Sequence, residues 1–398
     1  MRDKPEEVKP RIKKKADIAY FAGCTASYVE QDIAKAAVTL FDKAGIDFAY
    51  LGNEEACCGI PMLVAGRWDV FEDILRHNVA KMKETCAKTV VTSCPACWLV
   101  WKTYYPDWAK KLGVDYPFET KHYSEVLADK VAAGELIFDH EVPMKVTWHD
   151  SCHIGRAGGV YEPPRELIKS IPGVELVEME HNREDGLCCG SVLTLLGETP
   201  VAPVLGKRKL DEAVATGAEA VLALCPCCQF QMRVAADKNG MDVKVQDLAS
   251  LAARGLGVDF PDSTPDALAA WAVFEKMIEL MKPEPMVDLM ETLMPQLVAA
   301  MPGPFPAMMR FMAKIPGALE AMKPIMPKMM PMMLPGMMPK VMPDMLKEVE
   351  RIVGPMPDHM SEQMPDLLPA TMEALMPNML PMIAVGVTER MVDYLKKG

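Results

Sequence analysis

Ten of the twelve cysteines fall into two copies of one pattern, and that pattern limits what this chain can fold into more than any other feature. Cys24 is followed after 32 residues by Cys57-Cys58, and after 35 more by Cys94-x-x-Cys97. Cys152 is followed after 35 residues by Cys188-Cys189, and after 35 more by Cys225-x-x-Cys228. Four of the five positions recur at an offset of 131 residues and the fifth at 128. Register kept over five positions means duplication of one structural unit of about 120 residues.

Each unit reads as α/β. In the first, residues 17–24 form a short apolar strand ending at a cysteine, residues 32–44 a helix stopped by Gly45, and residues 47–51 a second strand. Cys57-Cys58-Gly59 follows in a loop, then an amphipathic helix over 68–84 and a strand over 89–92 running into Cys94. The second unit repeats the order: strand 146–150, helix 164–171, strand 174–180, loop 188–190, helix 205–215 and strand 220–224 into Cys225. Strands alternating with helices predict parallel sheets, whose ligands gather at the carboxyl ends of the strands. Cys24, Cys94, Cys152 and Cys225 are all expected there. The expected fold is a pseudo-twofold pair of small parallel-sheet α/β domains, residues 17–135 and 136–257, behind a polar arm (1–16) and ahead of a helical extension (264–398).

The N-terminus is charged and has no apolar stretch before a cleavage site. The cysteines are therefore expected in a cytoplasmic chain, where they signal metal or redox chemistry rather than disulfides. Structural zinc and ordinary cubane clusters each take four ligands. Five thiolates per unit, two of them adjacent, point to a polynuclear iron site instead.

A lone Cys, a Cys-Cys-Gly and a Cys-Pro-x-Cys at these spacings resemble the CCG-domain iron–sulfur proteins, which include the B-type and D-type components of heterodisulfide reductase. The run His149-Asp150-Ser151-Cys152-His153-Ile154-Gly155-Arg156, the segment Gly159-Val160-Tyr161-Glu162, and Asn182-Arg183-Glu184 ahead of Cys188-Cys189-Gly190 also match this family's second unit. The resemblance covers residues 17–257 and implies two non-cubane [4Fe–4S] clusters. Cys24, Cys57, Cys58, Cys94 and Cys97 would hold one, and Cys152, Cys188, Cys189, Cys225 and Cys228 the other. It further implies an oxidoreductase subunit of an anaerobic electron-transfer complex, either reducing a disulfide between its two clusters or relaying electrons to a membrane quinone or cytochrome partner. The chain lacks the Cys-x-x-Cys-x-x-Cys-x-x-x-Cys-Pro ferredoxin module of the D-type proteins, so a flavin- or ferredoxin-type iron–sulfur subunit is expected to supply electrons. Ser191-Val192-Leu193 stands where many relatives carry glycines, which narrows the space beside the second site.

The candidate catalytic residues are His149, His153 and Arg156. The histidines could donate a proton to a departing thiolate and Arg156 could clamp a carboxylate. The competing reading, which is favoured, has all three hydrogen-bonding cluster sulfurs and loop backbone. Cys86 is expected as a core thiol, Cys227 as a bystander between two ligands, and Trp98 and Trp101 as core. His122 and His181 have no ligand spacing. The net charge of −12 argues against nucleic acid as a partner, and Arg11 to Lys15 read as a solvated arm. No Walker loop or Gly-x-Gly-x-x-Gly supports nucleotide binding.

The extension has a different character: 27 of 34 methionines lie at or beyond Met277, and Pro331, Pro335, Pro339 and Pro343 recur every fourth residue. Prolines at this density are expected to break long helices and spanning segments, leaving short pieces near 285–297, 344–352 and 387–395. Such a surface suits docking to a partner subunit or a membrane surface; a self-packed cap and soft-metal binding by thioethers are lesser readings. The alternative for the whole chain is a non-catalytic scaffold, shaped by zinc or cubanes and binding through this tail.

Overall fold

The computed structural model describes residues 11–192, 201–356 and 358–397. The chain divides into two compact units, Met1–Leu268 and Ala269–Gly398.

The first unit holds two parallel sheets. Strands β1 (Ile12–Lys13), β2 (Ile18–Phe21), β3 (Phe48–Tyr50), β4 (Thr89–Thr92) and β5 (Glu119–His122) lie in the order β1-β3-β2-β4-β5. Strands β6 (Met144–Trp148), β7 (Val174–Val177), β8 (Ala220–Ala223) and β9 (Lys244–Asp247) lie in the order β7-β6-β8-β9. Matched by position, β3-β2-β4-β5 and β7-β6-β8-β9 are the same arrangement, so the duplication read from the cysteines is a duplication of fold. The central strands are buried on both faces, as their unbroken apolar runs require: Tyr20, Phe21, Val90 and Val91 in one sheet, Ala220 to Ala223 in the other. In each sheet the order of construction reverses between the two central strands, which opens a crevice at their carboxyl ends. Cys24 and Cys94 follow β2 and β4; Cys152 and Cys225 follow β6 and β8.

Helices cover the sheets. Gln31–Lys43 buries Ile33, Ala36, Ala37, Leu40 and Phe41, and its apolar face continues into Leu127, Leu167, Leu248 and Leu251, so that both halves share one core. The expected arm is partly strand: Ile12 and Lys13 pair with Phe48 and Ala49, and Arg11 Nη1 sits 3.2 Å from Asp47 Oδ1. Residues 1–10 of that arm and Leu193 lie outside the described residues.

The second unit is helical with its own core, built largely of methionine: Met286, Met290, Met294, Met326, Met345 and Met391 among others. Here the expectation of short pieces fails. Residues Met326–Val353 and Asp358–Lys397 are long helices. The four-residue spacing explains why. A proline removes the bond from its own nitrogen to the carbonyl four residues back, and its ring crowds that same carbonyl. When prolines follow one another at that interval, all the losses fall on one row of the helix. Pro339, Pro343, Pro365 and Pro381 are exposed, so water can serve the freed carbonyls, while the buried row Met326, Met330, Leu334, Met338 keeps its ladder. Pro339→Ala should therefore return a donor on the solvent side and raise stability by about 1–3 kcal/mol. Thermal melting followed by helical circular dichroism reads this; an unchanged or lower midpoint would mean the proline row costs the helix nothing. Among the described residues no helix is long and apolar enough to cross a membrane.

Candidate metal centre

The first site is built at the end of β2. Ala22 and Gly23 donate their amides to Glu55 Oε2 (3.0 Å) and Oε1 (2.8 Å), which ties the strand end to the loop carrying Cys57 and Cys58. Cys24 then opens the short helix Cys24–Tyr28, with its sulfur 3.8 Å from that of Cys57. Cys58 is buried within hydrogen-bonding reach of Cys97. Behind the pair, Asn78 donates to the Cys57 carbonyl (2.9 Å) and accepts from the Ala56 amide (3.2 Å), while Tyr105 donates to the Cys58 carbonyl (3.0 Å). A π-helical turn at Val100–Tyr104 precedes Tyr105 on the helix that follows Cys97. Sequence reading missed Glu55, Asn78 and Tyr105, because their partners are backbone groups far along the chain.

The glycine of each Cys-Cys-Gly is required twice over. Gly59 and Gly190 have φ of +87° and +89°, a region that L side chains rarely adopt. A Cβ on Gly59 would meet Phe71 at 2.8 Å, and one on Gly190 the Ala202 carbonyl oxygen at 2.8 Å. In this conformation each glycine amide turns back on the first cysteine, 3.4 Å from Cys57 Sγ and 3.3 Å from Cys188 Sγ.

The second site repeats the plan with more charge. Cys189 and Cys228 sulfurs lie 3.1 Å apart. Asp150 and Arg165 are buried and form two hydrogen bonds of 2.7 and 2.8 Å. Asp150 also accepts from Trp148 Nε1 (3.0 Å) and the Arg183 amide (2.6 Å), so the segment from β6 to Cys152 and the loop before Cys188 are fixed to each other. Arg156 donates to the carbonyls of Glu184 (3.2 Å) and Gly186 (2.6 Å), steadying the same loop. His149 is buried, neither ring nitrogen has a hydrogen-bond partner among the described residues, and it falls within 4.8 Å of the sulfurs of Cys189 and Cys228. His153 is half-buried beside Cys152.

The two sites meet. Cys94 of the first half and Cys225 and Cys227 of the second have sulfurs within 4.8 Å of one another, and Thr25 Oγ1 is 3.3 Å from Cys227 Sγ. Cys227, expected as a bystander, thus stands at the junction of both sites. Cys86, expected in the core, is exposed; it follows the helix Trp68–Glu84 in a left-handed conformation (φ 60°). Trp98 and Trp101 are core residues. His122 caps the helix Tyr123–Ala132, and burial pushes it down to about 3, so it stays neutral. His181 pairs with Glu212 at 2.8 Å.

The thiols set one another's acidity. Hydrogen bonds from Cys225, Cys227 and Cys97 pull Cys94 well down, and bonds from Cys189 and Cys225 do the same to Cys228. Their partners move the other way: bonding to Cys58 and Cys94, with burial, pushes Cys97 well up. Sulfurs sharing protons in this way form a ready set of thiolates once a cation displaces those protons. Among the described residues the cysteines form no disulfide. Soft sulfur donors in two close-packed groups, with an orphaned imidazole at one of them, fit a thiolate-bound polynuclear iron group better than oxygen-loving ions.

Comparison with known proteins agrees with this chemistry. The cysteine-rich domain model, CCG, matches twice, at residues 18–101 and 146–233. The D component of dihydromethanophenazine:CoB–CoM heterodisulfide reductase from Methanosarcina barkeri is 36% identical over 258 residues, 64% of this chain and 62% of that protein. The B component of fumarate reductase (CoM/CoB) from Methanothermobacter marburgensis is 34% identical over 59% of this chain and 45% of its own length. EtfAB:quinone oxidoreductase of Syntrophomonas wolfei is 30% identical over 61% and 35%. The chain therefore spans less than two thirds of the length of these relatives.

Proposed function

Because this chain carries two copies of the cysteine-rich CCG domain, we propose that it is an iron–sulfur oxidoreductase subunit of a multi-subunit electron-transfer complex. What supports the reading is that Cys24, Cys94, Cys152 and Cys225 follow the central strands of two parallel sheets, with the sulfurs of Cys94, Cys225 and Cys227 brought together. Cys24, Cys57, Cys58, Cys94 and Cys97 would hold one non-cubane [4Fe–4S] cluster, and Cys152, Cys188, Cys189, Cys225 and Cys228 a second. Such clusters supply one-electron transfer, so two in one protein match the two electrons that disulfide cleavage takes.

The chain's own residues do the positioning. Glu55, Asn78 and Tyr105 hold the backbone of the first cysteine loop; Asp150, Arg165 and Arg156 hold the second. His149 is placed to donate a hydrogen bond to sulfur at the second site, which stabilises added negative charge there. Cys58, Cys94, Cys97, Cys189, Cys225 and Cys228 are buried, whereas Cys188 is exposed. Named relatives act in reductase and quinone oxidoreductase systems. By analogy the electron donor here is a flavin- or ferredoxin-type subunit, the complex is cytoplasmic, and the methionine-rich helical unit offers a face to a partner subunit or membrane surface. A relay without disulfide chemistry is the second reading. Arg156 favours it, since that guanidinium is engaged by loop carbonyls and not turned toward a substrate carboxylate.

Iron, zinc and acid-labile sulfide in protein purified without oxygen test the proposal. About eight irons per chain, with matching sulfide and little zinc, is the expected result for two four-iron clusters. Zinc alone would overturn it in favour of a scaffold.

A further inference from the structure

A second group of buried ionisable side chains lies at the seam between the two halves, away from the sulfurs. Glu30 follows the short helix of Cys24, and Arg233 stands on the helix Pro226–Lys238 that follows Cys225; both are buried, and they form an ion pair. Ser263 Oγ bonds Glu30 Oε2 (3.2 Å) and Asp32 Oδ1 (2.9 Å), and Ser250 bonds Asp32 Oδ2 (3.2 Å). Asp32 and Arg233 in turn line a polar cavity of about 370 Å³, together with Lys244, Ser250, Arg254 and Asp262. The other end of the group touches the cysteine turns. Gln229 Nε2 donates to Glu30 (3.0 Å), its amide donates to the Cys225 carbonyl (2.9 Å), and the Glu30 amide donates to the carbonyl of Thr25, whose hydroxyl meets Cys227.

The charges inside do not balance. Glu30, Asp32 and Asp247 are three buried carboxylates, and Arg233 is the buried cation facing them, shared in part with Asp262 at 3.6 Å. Glu30 Oε1 and Asp247 Oδ2 are buried with no hydrogen-bond partner among the described residues. An unpaired buried charge is costly, and a carboxyl in that position escapes the cost by taking a proton.

We propose that Glu30 is a proton-binding site for the paired sulfur centres, filled from the adjoining cavity when those centres gain an electron. The proposal rests on the iron–sulfur reading above. The proton comes from bulk solvent by way of the cavity and forms a neutral carboxyl at Glu30; the electron comes from the flavin- or ferredoxin-type donor proposed above and stays at the sulfur site, so one charge of each sign enters the first unit. Burial foremost, with Asp32 adding and Arg233 opposing, pushes Glu30 up to about 7, where it can change state near neutrality. Asp247 is pushed well above the usual carboxylate range by burial and by Asp32.

Infrared titration of the full chain, isolated without oxygen, tests this in wild type, Glu30→Gln and Ser263→Ala. A protonated-carboxyl stretch should titrate around neutral pH in the wild type and be missing from Glu30→Gln. In Ser263→Ala, which removes a hydrogen bond to the carboxylate, it should move to higher pH. Dithionite should increase the wild-type band as the visible iron–sulfur absorption bleaches. No titrating band in the wild type overturns the proton site, as does a band that still titrates around neutral pH in Glu30→Gln. A band unchanged while the absorption bleaches overturns the coupling. A band with nothing to bleach overturns the iron–sulfur reading and the coupling with it, but not the proton site. Should Glu30→Gln fail to fold, the shift in Ser263→Ala decides.

Discussion

Replacing Arg165 with methionine lowers the stability of the chain by about 3–5 kcal/mol, the range for stripping one partner from a buried ion pair, and it costs the second cysteine set its iron before the first. Arg165 is fully buried. Its guanidinium faces Asp150 on one side and Glu178 on the other, at 2.7–3.0 Å, and also serves the Tyr161 carbonyl. Methionine keeps much of the length and none of the five donors. Two carboxylates are then left facing each other, and Asp150 is the anchor of both the β6 end and the loop before Cys188. The pH dependence gives the mechanism away. Burial pushes the Asp150 carboxyl up, but Arg165 and the Arg183 amide outweigh it and hold it below the usual range. The stability this pairing adds is thus fully present above the ordinary carboxylate range and is lost as pH falls through the lowered value. Without Arg165, burial is opposed only by the Arg183 amide and Trp148, and Asp150 takes a proton more readily. The gap between wild type and variant should therefore close as the solution is acidified, and adding Asp150→Asn should recover part of the loss at neutral pH. Urea melts across the pH range read both effects. A constant gap would mean the damage is lost packing instead of an unpaired charge.

Gly23→Ala should empty the first set and spare the second, leaving about four irons of eight. Gly23 has φ 80° and ψ 158°, a combination open essentially to glycine, and holding another residue there costs about 1–3 kcal/mol. The backbone cannot turn away, because Glu55 holds its amide. A Cβ would also stand 2.9 Å from Cys97 Sγ and 3.8 Å from Cys94 Cβ. The methyl group enters the space of the ligands themselves. Gly52→Ala is the control: φ there is +60° but nothing lies within 4 Å, so it should keep all its iron. Iron per chain and the electron paramagnetic resonance of the reduced protein separate the two; full iron in Gly23→Ala would remove Cys97 or Cys94 from the ligand set.

The cysteine framework was legible because it depends on spacing, and the central strands because they are unbroken apolar runs between turn residues. What stayed hidden depends on tertiary partners. β5 (ETKH) and β9 (KVQD) lie at sheet edges and carry no apolar signature, although Thr120, His122, Gln246 and Asp247 are buried in them. The helix Pro226–Lys238 buries Gln229 and Arg233, polar residues whose partner Glu30 lies some two hundred positions away. Cys86 looked like core because free thiols usually are; its left-handed turn at a helix end puts it outside. The proline-rich helices were misread because density was weighed and phase was not. One proline every fourth residue damages a single row, and Pro339 and Pro343 of that row face water.

With Cys94 set against Cys225 and Cys227, the halves have given up their independence. On the iron–sulfur reading, iron arriving at an unfinished molecule would meet sulfurs from both copies at once, and filling each set would compete with capture across the seam. A lone half would lack its counterpart's thiols and would bare the apolar wall that Ile33, Phe41 and Leu248 now close together. The copies that began as one gene segment can be neither separated nor exchanged, and a change on one side of the seam narrows what the other can become.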